Sequence, residues 1–66
     1  MDLIEGLYEQ MDRARRLKDA YDDLPSGAGA VGSCFISGAI KNAEQSIKSG
    51  DVIEMLAAYG VLKELE

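Results

Sequence analysis

Between Leu24 and Ile40 the chain reads LPSGAGAVGSCFISGAI. Four of the seven glycines of this 66-residue protein fall there, from Gly27 to Gly38. Pro25 ends whatever helix precedes it, because the residue before a proline avoids helical dihedrals. The glycines after it admit two readings. On a wheel of about 100° per residue, Gly29 and Gly32 share a side with Ile36, Ile40 and Ala43, so they can let two backbones approach closely. Alternatively, glycines ahead of a helix let an anion reach its unpaired N–H groups and the positive end of its dipole. Each glycine inside a helix costs ~1 kcal/mol relative to alanine, so packing or a ligand has to offset several of them. SGAGAVGS lacks the Lys-Ser/Thr pair of the nucleotide-triphosphatase loop. It also lacks the preceding strand of the dinucleotide fingerprint.

Working outward, Leu3, Leu7, Met11, Ala14, Leu17, Tyr21 and Leu24 recur every three or four residues, which predicts a helix over residues 2–24. Asp2 and Glu5 suit its positive end. Downstream of the glycine-rich turn and helix start at 25–33, a second helix is expected over 33–49, with Ile36, Ala39, Ile40, Ala43 and Ile47 facing inward. Gly50 is placed to take a left-handed C-terminal position. Asp51 with Glu54 in DVIE then forms an N-terminal cap. A third helix over 52–65 would turn Val52, Met55, Leu56, Tyr59 and Leu62 inward. No strand-like alternation or internal repeat is visible. The expectation is an all-α single domain of residues 1–66: an antiparallel helical hairpin plus a short third helix. Val31, Phe35 and Gly60 lie off the main stripes and are read as a second apolar surface covered by another subunit.

Size supports that expectation. A chain this short buries only ~60% of the surface its unfolded form exposes, and small folds usually add disulfides, a metal or partner subunits. Cys34 is the single cysteine and there is no histidine, so disulfides and a Cys/His metal site are excluded. Homo-oligomerisation remains. Twelve acids against seven bases give a net charge of −5, which argues against direct nucleic-acid binding. No apolar run approaches the ~20 residues of a membrane span. The start, MDLIEGLYEQMD, has acids where a signal peptide has bases. A cytoplasmic protein is expected.

The chemistry-bearing residues are few. Arg13, Arg15, Arg16 and Lys18 form a basic cluster in the first helix, and Tyr8, Met11, Arg15 and Lys18 line up beside its core stripe. Cations suit phosphate, and a ring suits base stacking. An antiparallel hairpin also brings Lys18 and Tyr21 near the start of the second helix. The candidate ligand-binding set is therefore Tyr8, Arg15, Lys18, Tyr21, Gly27, Gly29, Gly32 and Ser33. Glu9, Asp12, Asp19 and Asp22 lie three or four residues from these bases, so surface ion pairs worth ~0.3–0.5 kcal/mol each are the competing reading, favoured for Arg13 and Arg16. Cys34, Ser26, Ser33 and Ser37 have no visible activating base. Met1, Met11 and Met55 read as fillers of core or interface. No catalysis, cofactor or metal is expected.

From Leu24 onward the chain, with its glycine- and alanine-rich segment after a proline, its SGDV turn and its short closing helix, resembles small proteins encoded by phages and prophages. In size, helicity and expected assembly it is similar to the phage counter-defence sponges that sequester nucleotide messengers of bacterial immunity. That resemblance implies an accessory protein of the host-cell cytoplasm. It would capture a cyclic nucleotide or cyclic ADP-ribose-type ligand at subunit junctions without cleaving it. The alternatives are an acidic helical module that inhibits a host protein by presenting Glu5, Glu9, Asp12, Asp19 and Asp23, or a purely structural oligomer.

Overall fold

A computed structural model describes residues 2–65. Three helices make up the body: α1 (Leu3–Asp22), α2 (Ala30–Ser49) and α3 (Val52–Glu64). No strand occurs among the described residues. Met1, expected as a filler, lies outside them.

Local chemistry accounts for each boundary. The Asp2 carboxylate accepts the Glu5 N–H at 2.8 Å and starts α1. The helix ends at Asp22, two residues before Leu24, whose extended ψ of 139° is the conformation Pro25 imposes. One 3₁₀ turn, Pro25–Gly27, follows, with Ser26 and Gly27 both left-handed at φ 61° and 70°. Ser26 carries a side chain into a region that costs an L-residue roughly 1–2 kcal/mol, so the turn is held by its surroundings rather than by preference. Gly50 ends α2 in the left-handed conformation (φ 74°), and Asp51 caps α3 by accepting the Ile53 and Glu54 N–H groups at 2.9 and 3.3 Å.

The start of α2 falls within the 25–33 stretch expected to hold the turn and the helix start. The helix begins at Ala30 and takes Gly32 inside it, with Gly29 as its N-cap residue. The reason is steric. A methyl group at Gly29 would stand 2.0 Å from the Tyr21 carbonyl oxygen and 2.7 Å from its carbonyl carbon. Without a side chain, the backbone of Gly29 lies directly on that of α1. One turn on, a Cβ at Gly32 would meet the Tyr21 ring at 3.3 Å.

The core forms where all three helices meet. Leu7 and Met11 from α1, Ile36, Ile40 and Ala43 from α2, and Met55 and Leu62 from α3 are buried. Leu7 and Leu62 are wholly covered, and full burial of a leucine side chain is worth about 1.5–3 kcal/mol. Ala14, Ala39 and Ala58 fill the spaces between them. Ser46 is buried as well, its hydroxyl donating to the Ala43 carbonyl at 2.7 Å.

Three inward assignments need correction. Leu24 is exposed because the chain leaves the helix before reaching it. In α3, Val52 and Leu56 face outward and Ala58 faces inward. Apolar residues surround α3 on every side, and its charged residues are Glu54, Lys63 and Glu64 only. A spacing rule therefore has no polar face from which to choose. Arg13 is also not a surface ion pair. Its guanidinium donates to the Leu62 and Lys63 carbonyls at 2.8 and 3.2 Å, closing the C-terminus of α3 from α1.

Three substitutions test these features by chemical denaturation. Gly29→Ala is expected to cost about 3 kcal/mol or more, at the upper end of overpacking penalties. Gly60→Ala has open space around its new methyl and is expected to stabilise by up to ~1 kcal/mol. Arg13→Ala is expected to cost about 1–3 kcal/mol, the range for hydrogen bonds from a charged donor, with α3 losing amide protection first.

Candidate functional site

The eight candidate residues fall into four places rather than one. Gly29, Gly32 and Tyr21 form the helix contact described above. Their backbone and ring surfaces face each other, which accounts for both glycines without a ligand. Gly27 stands apart in the turn, exposed, with nothing near the place a side chain would occupy.

Lys18 and Ser33 lie in an open groove between α1 and α2. Both are held there by Asp22. The Lys18 ammonium donates to one carboxylate oxygen at 2.8 Å, and the Ser33 hydroxyl donates to the other at 2.5 Å. The Ser33 N–H is also engaged, donating to the Gly29 carbonyl at 2.8 Å. An anion thus already stands beside the first turn of α2, where the helix dipole favours one: the chain's own Asp22 carboxylate. The Lys18 hydrogen bond, followed by that of Ser33, holds the Asp22 carboxyl below the usual carboxylate range. In return, the hydrogen bond and charge of Asp22 raise Lys18 above the usual lysine value. The pair stays ionised through neutral pH, and the Lys18 charge is largely answered within the chain.

Tyr8 and Arg15 occur farther along the same seam, in a groove with Met11, Glu44, Ile47 and Lys48. Tyr8 is half exposed, as its proposed stacking role requires. Arg15 pairs with Asp12 at 3.2 Å and with Glu44 across the seam at 3.4 Å. Both pairs are solvent-exposed and worth at most about 1 kcal/mol.

Sequence reasoning missed two cations. Lys41 lines the first groove and Lys48 the second. Neither makes an ion pair among the described residues. Their seven-residue spacing, which puts them on one helix face, was the available signal. It was obscured by the denser cluster in α1. With Arg15 and Lys18 they place four cations along the α1–α2 seam, interleaved with Asp12, Asp22 and Glu44.

The opposite side of α2 and the outer side of α3 differ in character. Val31 is 85% exposed, Phe35 63% and Ile53 79%, and Leu56 and Val61 are exposed too. Between the two helices runs a groove of about 330 Å³ floored by Ala39, Ala57 and Ala58. No cluster of three or more potential metal ligands occurs among the described residues. No helix among them is long and apolar enough to cross a membrane. Comparison with family models, with curated proteins and with solved structures finds no match to this chain.

The Asp22 contacts have a definite pH signature. A carboxylate whose pKa is lowered by folding adds stability above its unfolded pKa, and that stability disappears as pH falls through the folded value. Asp22→Asn is therefore expected to lower the melting temperature at pH 7, with the gap to wild type closing as pH drops below ~4. On the alkaline side the Lys18 contribution, complete below the ordinary lysine value, fades as pH rises past its elevated one. A melting-temperature series against pH for both proteins checks this.

Proposed function

We propose that this chain is a non-catalytic docking module that works by presenting the uncovered face of α2 and α3 to another macromolecule. On this reading α1 and α2 run antiparallel, α3 closes one side of the pair, and the charged α1 keeps the far side hydrated. The carrying observation is α3, which is apolar on every side yet packs only Met55, Ala58 and Leu62 inward. A helix of that composition belongs in an interior. Ile53, Leu56 and Val61 on its outer face need a partner from outside the chain.

A second reading keeps the sequestration of a phosphate-bearing nucleotide messenger, placed along the α1–α2 seam. The observation favouring it is the row of Arg15, Lys18, Lys41 and Lys48 beside the half-exposed Tyr8 ring. Docking is preferred because Arg15, Lys18, Ser33, Gly29 and Gly32 are all engaged within one chain. Either reading suits the accessory role of a phage-encoded protein that the sequence resemblance implies.

The experiment pairs tagged co-purification from a bacterial host with calorimetric titration against cyclic di- and trinucleotides and cyclic ADP-ribose isomers. Ile53→Asp is expected to abolish a stoichiometric protein partner without loss of helical circular dichroism. Lys48→Glu is expected to retain that partner, and the nucleotides are expected to give no heat. Heat that Lys48→Glu removes, with partner recovery unaffected by Ile53→Asp, would replace docking by sequestration.

A further inference from the structure

The outer face of α2 carries a stripe spaced alternately by four and three residues: Val31, Phe35, Gly38, Asn42 and Gln45. That spacing keeps all five on one side of the helix. All five positions are exposed, so the chain's own helices do not use it. None of the five is charged. At its centre, Gly38 has nothing within 4 Å of where a Cβ would stand. Gly29 is explained by the backbone beneath it, whereas Gly38 has no explanation inside the chain and still costs the helix ~1 kcal/mol.

We infer that the partner on this face is a second copy of the chain, crossing α2 against α2 at Gly38 about a two-fold axis, so that Phe35 of each copy enters the α2–α3 groove of the other. This inference rests on the docking reading and names the occupant of the α2 part of that face, leaving Ile53 on α3 outside the crossing. Symmetry makes it specific. An antiparallel crossing about a two-fold at Gly38 sets residue 35 of one chain beside residues 41 and 42 of the other, and Asn42 lines the groove floored by Ala39 and Ala58. The projecting ring and the groove that receives it lie on one surface, as a self-complementary interface requires. A missing side chain at the crossing point lets the two helices come close.

Area favours a second copy, and the charge distribution permits one. Seven of the twelve acids lie between Asp2 and Asp23, in or beside α1. Two bodies of net charge −5 repel each other, and the uncharged stripe is a face where they meet with little added repulsion. The chain exposes 4509 Å², against about 4,100 Å² expected for a monomer of this mass. At 39 Å long and 19 Å wide, it can offer a face of the order of the ~800 Å² per partner found in stable complexes.

Sedimentation equilibrium of the full chain tests the inference, over roughly 1–200 µM because dimer populations depend on protomer concentration. Gly38→Leu improves helix propensity while filling the crossing point. The wild-type mass is expected to be two chains and that of Gly38→Leu one chain, with helical circular dichroism retained and a melt at least as cooperative. Phe35→Ser supplies a second variant and is expected to shift the dissociation constant upward at least tenfold. A wild-type mass of one chain throughout would overturn the inference, and so would any wild-type mass that Gly38→Leu leaves unchanged. Neither result would touch the docking reading, which falls if no host partner co-purifies or if Ile53→Asp leaves its recovery intact.

Discussion

The contact between Gly29 and the backbone of Tyr21 fixes the rest of the structure. A methyl group at Gly29 would stand 2.0 Å from the Tyr21 carbonyl oxygen, closer than any side chain permits. Bringing the start of α2 onto the end of α1 there sets the register along the seam. Ser33 then falls beside Asp22, and Arg15 comes opposite Glu44. Ile36 and Ile40 are turned onto Met11 and Leu7 in the core. The strained Ser26–Gly27 turn is the cost of so close a return, offset by the packing that follows.

The same contact decides what the glycine stretch can do. Of the groups expected to cradle a phosphate, Gly29 is packed against α1, and Ser33 and Lys18 both donate to Asp22. What remains unanswered is on the other side of the molecule. With only three helices, α1 and α2 can cover one flank of α3 and no more. Ile53, Leu56 and Val61 are left in water together with Val31 and Phe35. A chain this small buries too little of itself to stand far above marginal stability. Covering that apolar surface with a partner, as proposed, would add to its stability.

The sequence made much of the framework legible, and physical reasons mark where legibility stopped. Asp2, Pro25, Gly50 and Asp51 act through strictly local chemistry, so the three helices and their ends could be read within a few residues. The α1 and α2 stripes were readable because polar residues bound them on both sides. In α3 no polar face exists, and only tertiary contact with α1 and α2 distinguishes Ala58 from Leu56. Arg13 reaches carbonyls 49 and 50 residues away, and no spacing rule contains that information. Of the candidate site, the grouping of Tyr8 with Arg15 was visible on one wheel. The engagement of Lys18 and Ser33 by Asp22 depends on register across the seam, which a wheel of either helix alone cannot give. The exposed glycine at position 38 was visible as a glycine, but its lack of any neighbour within the chain emerges only in three dimensions.

Solution NMR of the glycine protons addresses the closeness of Gly29 to Tyr21 most directly. The expected result is a strong nuclear Overhauser effect between the Gly29 and Tyr21 α-protons, with a Gly32 α-proton displaced by the current of the Tyr21 ring. Both signals should persist unchanged when cyclic nucleotides are added. Random-coil shifts for Gly29 and Gly32 without that Overhauser effect, or shifts that appear only with a nucleotide present, would contradict the account.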